Sequence, residues 1–184
     1  MAVKTFAAGD VLTASDTNTY LNNGGLVYIT GASLTGTTAN FDNCFSSTYD
    51  NYQIVLSGTG STVGNVINCQ LRTGSGNEAL SSYYWGGWYA LYGSGTLTGE
   101  GATTSVTQWR VGEMTSTGGA MIMDVLMPNL AAYTSFFSIH QDYANYSRQH
   151  NGYKATTTQY TGIGFIFSGT SWAGSIRIYG RRQA

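Results

Sequence analysis

Apolar and polar side chains alternate with a period of two from residue 26 to the end of the chain, and this alternation most strongly constrains the fold. It is clearest at residues 65–72. The apolar positions there are Ile67, Cys69 and Leu71, and the polar positions between them are Asn68, Gln70 and Arg72. Because successive side chains of a strand point to opposite faces of a sheet, the pattern predicts a half-buried strand with its apolar residues facing inward.

The same alternation recurs in short segments along the rest of the chain. It predicts further strands at residues 26–30, 52–57, 82–92, 104–111, 120–127, 134–141, 163–168 and 175–181. Turns rich in Gly, Ser, Thr and Asn separate these segments, and no helical segment lies between them to make parallel crossovers. We therefore expect an all-β fold, an antiparallel jelly-roll-like β-sandwich.

Glycines and the single proline refine this expectation. Gly86 and Gly87 split residues 82–92 into either a hairpin or a bulged strand. The glycine-flanked residues 169–174 predict a hairpin between the last two strands. Pro128 ends the strand before it, because proline has no N–H to donate. The longer connections are expected at residues 31–49, 73–81, 93–104 and 142–159.

Helix signals occur only before residue 26. Thr13 can cap a helix N-terminus, and Asp16, three residues later, can complete a capping box. Gly24 and Gly25 suit the end of a helix that covers residues 14–22. A helix this short is unstable alone in water and needs a surface to pack on.

This N-terminal segment has an apolar side, formed by Phe6, Val11, Leu12, Tyr20 and Leu21. Because so short a segment cannot enclose a core, two interpretations stay open. It docks on a sister chain or another protein, or it packs on its own domain. The chain thus divides into a docking arm with one short helix, residues 1–25, and a β-sandwich domain, residues 26–184.

Charge is scarce in this sequence. Only 9% of the residues are charged, against about a quarter in ordinary soluble proteins, and the formal net charge is −1. Nucleic-acid binding needs clustered Lys and Arg, so we expect none. No apolar run is long enough for a membrane span or a signal peptide. Cys69, which alternates with apolar neighbours, is expected to be a buried free thiol, although pairing with Cys44 stays open.

One segment resembles a known class of proteins. Residues 6–24, FAAGDVLTASDTNTYLNNG, resemble the opening segment of many tail-fibre and other virion structural proteins of tailed bacteriophages, including phages of cyanobacteria. Residues 165–180 are similar to the terminal hairpin of jelly-roll-like phage domains. The resemblance implies a virion protein assembled in the host cytoplasm. It also implies a homotrimer whose partners are other virion proteins of the tail or capsid.

An aromatic stretch is the main candidate for a recognition surface. Its aromatic residues are Tyr83, Tyr84, Trp85, Trp88, Tyr89 and Tyr92. Exposed aromatic rings can stack on sugar rings, so the stretch is a candidate host-glycan receptor site, together with the polar loop at residues 145–154. The alternative is that one side of the stretch is core and the other a subunit interface, where Tyr and Trp are also enriched.

Residues for catalysis or metal binding are few. His140 and Asp142 share one face of a strand, but no nucleophile motif accompanies them. No CxxC or HxxxH spacing is present. The acids, at positions such as 78, 100, 113 and 124, belong to different elements, so a glycosidase pair is not indicated. We expect no enzyme activity, cofactor or metal.

The strand predicted at residues 120–127 carries candidate residues for the core and for a subunit contact. Met121, Met123 and Met127 are expected in the core or at an interface, and Asp124 on the other side is expected to be buried and paired at a subunit contact. The expected function is a tail-fibre or tail-associated adsorption protein. The first alternative is a head decoration protein on the capsid. The second, ranked below it, is a polysaccharide-binding or depolymerising protein.

Overall fold

The computed structural model describes residues 7–11, 13, 25–60, 65–74, 76–142, 146–169 and 172–181. Within these residues the chain is all β, with no helix. The strands are β1 (Leu26–Leu34), β2 (Thr38–Phe41), β3 (Asn51–Thr59), β4 (Asn65–Thr73), β5 (Gly76–Asn77), β6 (Tyr83–Leu91), β7 (Leu97–Gly101), β8 (Trp109–Met114), β9 (Gly119–Leu126), β10 (Thr134–Asp142), β11 (Tyr146–Lys154), β12 (Gly162–Phe167) and β13 (Ala173–Arg181).

The strands form two antiparallel sheets in a sandwich-like arrangement. The large sheet has eight strands in the order β1-β13-β3-β9-β10-β11-β6-β7. The small sheet has the order β2-β12-β4-β5, with β8 also paired to β4. The apolar residues between the sheets form one buried cluster that includes Ile54, Trp109, Met123 and Phe165. Such face-to-face packing buries one side of the strands that lie between the two sheets, as in β3 and β9.

The predicted hairpin between the last two strands is wrong. β12 pairs with β2 and β4 in the small sheet, whereas β13 lies between β1 and β3 in the large sheet. The connection carries Trp172, a core residue whose ring packs 4.6 Å from that of Phe167 and whose Nε1–H donates to the Ser168 carbonyl at 2.9 Å. The connection between β12 and β13 therefore crosses from the small sheet to the large sheet, with Trp172 packed in the core, and does not form the tight turn of a hairpin.

The strand predicted at residues 65–72 forms, and its apolar side is confirmed as core. Ile67, Cys69 and Leu71 are fully buried. Two of the predicted outward residues are buried as well, because neighbouring segments cover that side. Gln70 Nε2 donates to the Thr107 carbonyl at 3.0 Å. The guanidinium of Arg72 forms an ion pair with Asp42 at 2.8 Å and also donates to the Asn77 side chain.

Both cysteines are buried free thiols, as expected for Cys69. Burial raises the pKa of the Cys44 thiol to about 12, an effect larger than that of the backbone hydrogen bonds that oppose it. The pKa of Cys69 is also raised well above its usual value by burial. Both groups are therefore protonated and weakly nucleophilic at neutral pH.

Two hairpin-like additions widen the large sheet beyond β9. The predicted loop at residues 142–159 contains β11, and the predicted loop at residues 93–104 contains β7. Residues 83–91 form one continuous strand that pairs with β11 in unbroken register, so neither a hairpin nor a bulge occurs at Gly86 and Gly87. The sequence pattern does not reveal β11, because charged and small residues occupy its buried face and hide the alternation.

The predicted helix lies outside the described residues, as do Phe6, Leu12, Tyr20 and Leu21 of the docking arm. Of that apolar set, Val11 is described, and 81% of its surface is exposed. Residues 7–10 form a turn in which the Asp10 N–H donates to the Ala7 carbonyl at 3.1 Å. None of the described segments forms a helix with the length and apolar character needed to cross a membrane.

Candidate functional site

The two stretches singled out for recognition lie side by side in the large sheet. The sequence predicts a polar loop at residues 145–154, but residues 146–154 form β11, which pairs directly with β6. Tyr84 lies opposite Tyr153, and Trp88 lies opposite Gln149. The sheet therefore brings both candidate stretches onto one surface, which neither stretch could form alone.

The alternation of β6 divides the six predicted aromatic residues between two environments. Tyr83, Trp85 and Tyr89 point toward the inside of the sandwich, and Tyr84 and Trp88 point outward. Tyr92 follows β6 in a turn and is exposed. Half of the set is thus turned away from the outer surface.

Tyr83 is fully buried and cannot contact a receptor. Its hydroxyl donates to the Glu78 carbonyl at 2.8 Å and accepts from the Leu71 N–H at 2.9 Å. Its ring packs edge-on against Trp109 at 5.1 Å. Burial raises the pKa of Tyr83 well above its usual value. Tyr83 is a core residue because it fills space between the sheets and both of its hydroxyl bonds are internal.

We define the aromatic face as the outer surface of β6 and β11 together with Tyr133, which precedes β10. Tyr84 and Tyr153 stack with ring centroids 5.0 Å apart and planes 13° apart. Tyr133 continues the stack at 6.1 Å from Tyr153. Sequence reasoning misses Tyr133, since it lies outside both candidate stretches and joins them only through β10.

We define the trough as the strip of the aromatic face that runs along β6 from this tyrosine stack to Trp88. Gly86 lies opposite Gly101 on one side and Asn151 on the other. These glycines leave the trough without side chains in its floor, and a depression of about 200 Å³ borders the tyrosine stack. It is lined by Tyr84, Trp85, Gly86, Ala102, Asn151, Gly152 and Tyr153.

Trp88 stands at the other end of the trough and is 38% exposed. Its neighbour on β7 is Gly99, where an added Cβ would meet no atom within 4 Å, so one side of the indole is open. Tyr84 and Trp88 are four residues apart on one strand, which separates them by about 13 Å. The face thus offers two aromatic platforms with a bare floor between them.

The aromatic face and the adjacent outer surfaces of β7 and β10 carry no charge at their described outward positions. The outward residues of β6, β7, β10 and β11 are Tyr84, Gly86, Trp88, Ala90, Leu97, Gly99, Gly101, Ser135, Phe137, Ile139, Gln141, Ser147, Gln149, Asn151 and Tyr153. Its polar groups near the trough are the amides of Gln149 and Asn151 and the phenol hydroxyls. Amides can both donate and accept hydrogen bonds, so this surface suits an uncharged polar ligand.

Directly behind the aromatic face lies an ionic cluster in which Glu113, Arg148 and His150 are buried and Glu100 and Arg110 are partly buried. The Glu100 carboxylate on β7 contacts three groups: His150 Nε2 at 2.9 Å, Arg148 Nη1 at 3.2 Å and Arg110 Nη1 at 3.3 Å. Glu113 contacts Arg110 at 2.6 Å and Arg148 at 3.2 Å. Two carboxylates and two guanidinium groups therefore balance in charge, as buried ions require.

A glycine allows His150 and Glu100 to meet. They lie on strands β11 and β7, on either side of Gly87 in β6. An added Cβ at Gly87 would overlap the Gln149 carbonyl oxygen and lie 2.9 Å from His150 Cδ2. The imidazole and the carboxylate thus reach each other across β6 because that strand has no side chain at this point.

A β-bulge in β8 brings Arg110 and Glu113 into the same cluster. The pairing with β4 moves from Gly112 opposite Ile67 to Arg110 opposite Asn68, which leaves Val111 as an extra residue. A bulge interrupts the alternation of side chains and can redirect them. Residues three positions apart, which would otherwise face opposite ways, therefore contact each other, and Arg110 Nη2 donates to Glu113 Oε2 at 2.6 Å.

The cluster keeps Glu100 ionised. Burial raises the pKa of this carboxyl, but the hydrogen bond from His150 and the charges of Arg110 and Arg148 outweigh it and lower the pKa to about 2. Because an ionised carboxylate only accepts, His150 Nε2 is the donor in their hydrogen bond. Two of the four acids considered separately in the sequence, Glu100 and Glu113, thus share one cluster, where arginines neutralise them.

His140 stacks on His150 at the edge of this cluster, with ring centroids 5.5 Å apart and planes 12° apart. It is 1% exposed, and neither ring nitrogen has a hydrogen-bond partner. Burial, together with the nearby His150 and Arg148, lowers the pKa of His140 from its usual 6.5 to about 3. Asp142, its predicted companion, is buried on the same side and accepts from the Tyr146 N–H at 3.1 Å.

Beside the aromatic face, β9 and β10 carry an apolar groove of about 370 Å³. Ile122 and Ile139 pair across the strands here, and each is 51% exposed. Asp124 at its margin is partly buried and forms an ion pair with Arg181 of the same chain at 2.7 Å. Met121 and Met123 on the opposite side are confirmed as core, whereas Met127 is partly exposed in the following turn.

Among the described residues, no three His, Cys, Asp or Glu side chains are grouped so as to hold a metal ion. The sequence matches no model of a known protein family, and a search of curated proteins finds no match to it.

Proposed function

We propose that this chain is a virion structural protein of a tailed bacteriophage, a tail-fibre or tail-associated adsorption protein. It attaches to the particle through residues 1–25 and displays the β-sandwich. The observation that carries the proposal is the resemblance of residues 6–24 to the opening segment of such proteins. The low charge content agrees with a protein that functions in an assembly, where contacts between subunits replace a charged surface.

The strand order supports a jelly roll as the fold of the displayed domain. Eight strands form two four-stranded layers, β1-β13-β3-β9 and β2-β12-β4-β8, and the first strand lies beside the last. Along the chain, β1, β2, β3 and β4 alternate between the sheets, and so do β8, β9, β12 and β13 when the added hairpins β6-β7 and β10-β11 are set aside. Jelly rolls of this kind occur in viral capsid and lectin domains. Since one fold hosts many functions, this supports the proposal without carrying it.

The large sheet supports an adsorption role because it displays an exposed aromatic surface on its added strands. The additions β6-β7 and β10-β11 extend it beyond the eight jelly-roll strands and present the aromatic face on its outer side. The balanced ionic cluster behind this face ties the added strands β7 and β11 to β8. The exposed aromatic groups are therefore mounted on a rigid sheet, which favours recognition over a flexible tip.

A head decoration protein is the second candidate, and the apolar groove favours it. Ile122 and Ile139 present exposed apolar surface between two central strands of the sheet. Exposed apolar patches commonly mark contacts with other proteins. In a decoration protein this groove would contact the capsid shell.

Imaging of intact virions separates the two candidates. Antibody-gold labelling and particle reconstruction should place the chain at the tail, in a few copies arranged as homotrimers. Density over the shell in hundreds of copies would reject the adsorption proposal in favour of decoration. Absence of the chain from purified virions, measured by quantitative mass spectrometry, would reject both.

A further inference from the structure

We propose that the trough of the aromatic face binds an uncharged oligosaccharide, with Trp88 and the Tyr84 stack as its two platforms. This inference rests on the proposed adsorption function and names the ligand of its recognition surface. The occupant follows from the chemistry of the face: open aromatic rings, amide side chains, a floor of glycines and no charge at its described outward positions.

Aromatic rings select the ligand class. The apolar C–H faces of a pyranose can lie on an indole or phenol ring, and its hydroxyl groups then point sideways toward polar neighbours. Trp88 has one side open because Gly99 lies beside it. Tyr84 is held in parallel stacking by Tyr153, which keeps its ring orientation fixed before any ligand arrives.

The floor between the platforms suits a chain of sugars. Tyr84 and Trp88 are about 13 Å apart along β6, so a ligand that touches both must contain more than one sugar ring. Gly86 and Gly101 allow that ligand to approach the backbone, and Asn151 lies between the platforms on β11. Its amide can donate to one hydroxyl and accept from another, as vicinal sugar hydroxyls require.

The absence of charge at the described outward positions and the exposed amides argue against an acidic glycan, a nucleic acid or an apolar protein partner in the trough. An acidic glycan or a nucleic acid would be expected to meet Lys or Arg, and the basic side chains of β11, which borders the trough, lie on the opposite, buried side of the sheet. Arg148 and Lys154 of β11 are both turned inward, where Arg148 pairs with Glu100 and Lys154 Nζ donates to the Leu80 carbonyl. An apolar protein partner would leave the amides of the trough without hydrogen bonds.

The test measures binding by the purified full-length chain. The probes are neutral hexasaccharides of glucose, mannose, galactose and N-acetylglucosamine, with a heparin hexasaccharide as the acidic comparison. Titration is followed by tryptophan fluorescence and by saturation-transfer NMR. We expect at least one neutral probe to bind, and the heparin probe to bind more weakly.

Variants locate the binding surface. Trp88→Ala should weaken binding about tenfold or more, whereas Trp88→Phe, which keeps a flat ring, should retain most of it. The matched control is Tyr28→Ala, which removes an exposed aromatic ring from β1 at the far edge of the same sheet and should leave affinity unchanged. Circular dichroism and thermal unfolding check that each variant is folded.

Three results would overturn the proposal: no binding of any neutral probe at millimolar concentration, tighter binding of the heparin probe, or equal loss in the Trp88→Ala and Tyr28→Ala variants. These outcomes are distinguishable from failure of the adsorption proposal. Location in the virion is measured on particles, whereas saccharide binding is measured on the isolated chain. If the chain is found on the capsid shell and also binds a neutral saccharide specifically, the saccharide site is retained and the assignment to the tail is rejected.

Discussion

Replacing His140 by phenylalanine should remove much of this protein's sensitivity to mild acid. The imidazole is buried against His150, Arg148 faces it from β11, and neither ring nitrogen has a hydrogen-bond partner. Phenylalanine keeps a flat ring for the stacking contact and loses no hydrogen bond. The His140→Phe variant should therefore fold at neutral pH and be at least as stable as the wild type there.

The magnitude follows from the difference in pKa between the two states. The pKa of His140 is about 3 in the folded protein and about 6.5 when the chain unfolds. Above pH 6.5 the imidazole is neutral in both states, and its titration costs the folded state no stability. As the pH falls from 6.5 toward 3, the unfolded state binds a proton that the folded state does not, and the free energy of unfolding decreases. At pH 5 the unfolded state holds the extra proton, and the loss is about 2 kcal/mol, from 1.5 pH units at 1.36 kcal/mol each.

The window between pH 7 and pH 5 isolates this residue from Glu100. Because the pKa of Glu100 is lowered from 4.5 to about 2, its stabilising contribution is lost only below pH 4.5. Urea unfolding followed by tryptophan fluorescence at both pH values gives the free energies of unfolding. The wild type should lose about 2 kcal/mol more than His140→Phe over this interval.

A neutral core substitution on the same strand is the control. Phe136→Leu changes another inward residue of β10 and should lower stability by the same amount at pH 7 and pH 5. If the wild type and His140→Phe lose equal stability between the two pH values, the inferred titration of His140 is wrong.

Three further predictions concern packing, assembly and the arm. Gly87→Ala should destabilise the chain by about 2 to 4 kcal/mol, because its Cβ would force β6 away from β11. Gly86→Ala, whose Cβ would have only an ordinary contact at 3.8 Å, should change the urea midpoint little, and equal effects would contradict this account. Multi-angle light scattering at micromolar concentration should give the mass of a trimer, and a monomer would refute the oligomer proposal. Deleting residues 1–23 should leave a cooperatively folding β domain that no longer enters virions, so normal incorporation of the truncated protein would refute the docking role.

Local alternation of apolar and polar residues predicts much of the fold. Where a strand has an apolar inner side, as at residues 65–72, the pattern identifies the inward positions correctly. Where the inner side is polar, as with Arg148 and His150 in β11, alternation of hydrophobicity is absent and the sequence predicts a loop in place of the strand. A pattern based on apolar residues cannot reveal a strand whose buried face is satisfied by ion pairs.

The candidate site is predictable in its parts but not in its arrangement. The sequence singles out the aromatic residues of β6 and the polar residues of β11, but it does not indicate that they pair. Tyr83 falls among the exposed candidates because composition alone does not show which side of β6 faces the core. The packing of Tyr83 on Trp109, which in turn contacts Phe136, decides that orientation.

The sequence by itself determined that this chain is built from strands, where most of them lie and which side of the clearest ones is buried. These properties depend on residues adjacent in the chain, through the period of the backbone. Only the tertiary structure decided which strands are neighbours, that β12 and β13 belong to different sheets, and that Glu100, Arg110, Glu113 and Arg148 meet in one cluster. Those outcomes depend on contacts between segments far apart in the sequence. Such contacts are decided only when all segments pack together into one core and their buried polar groups find partners.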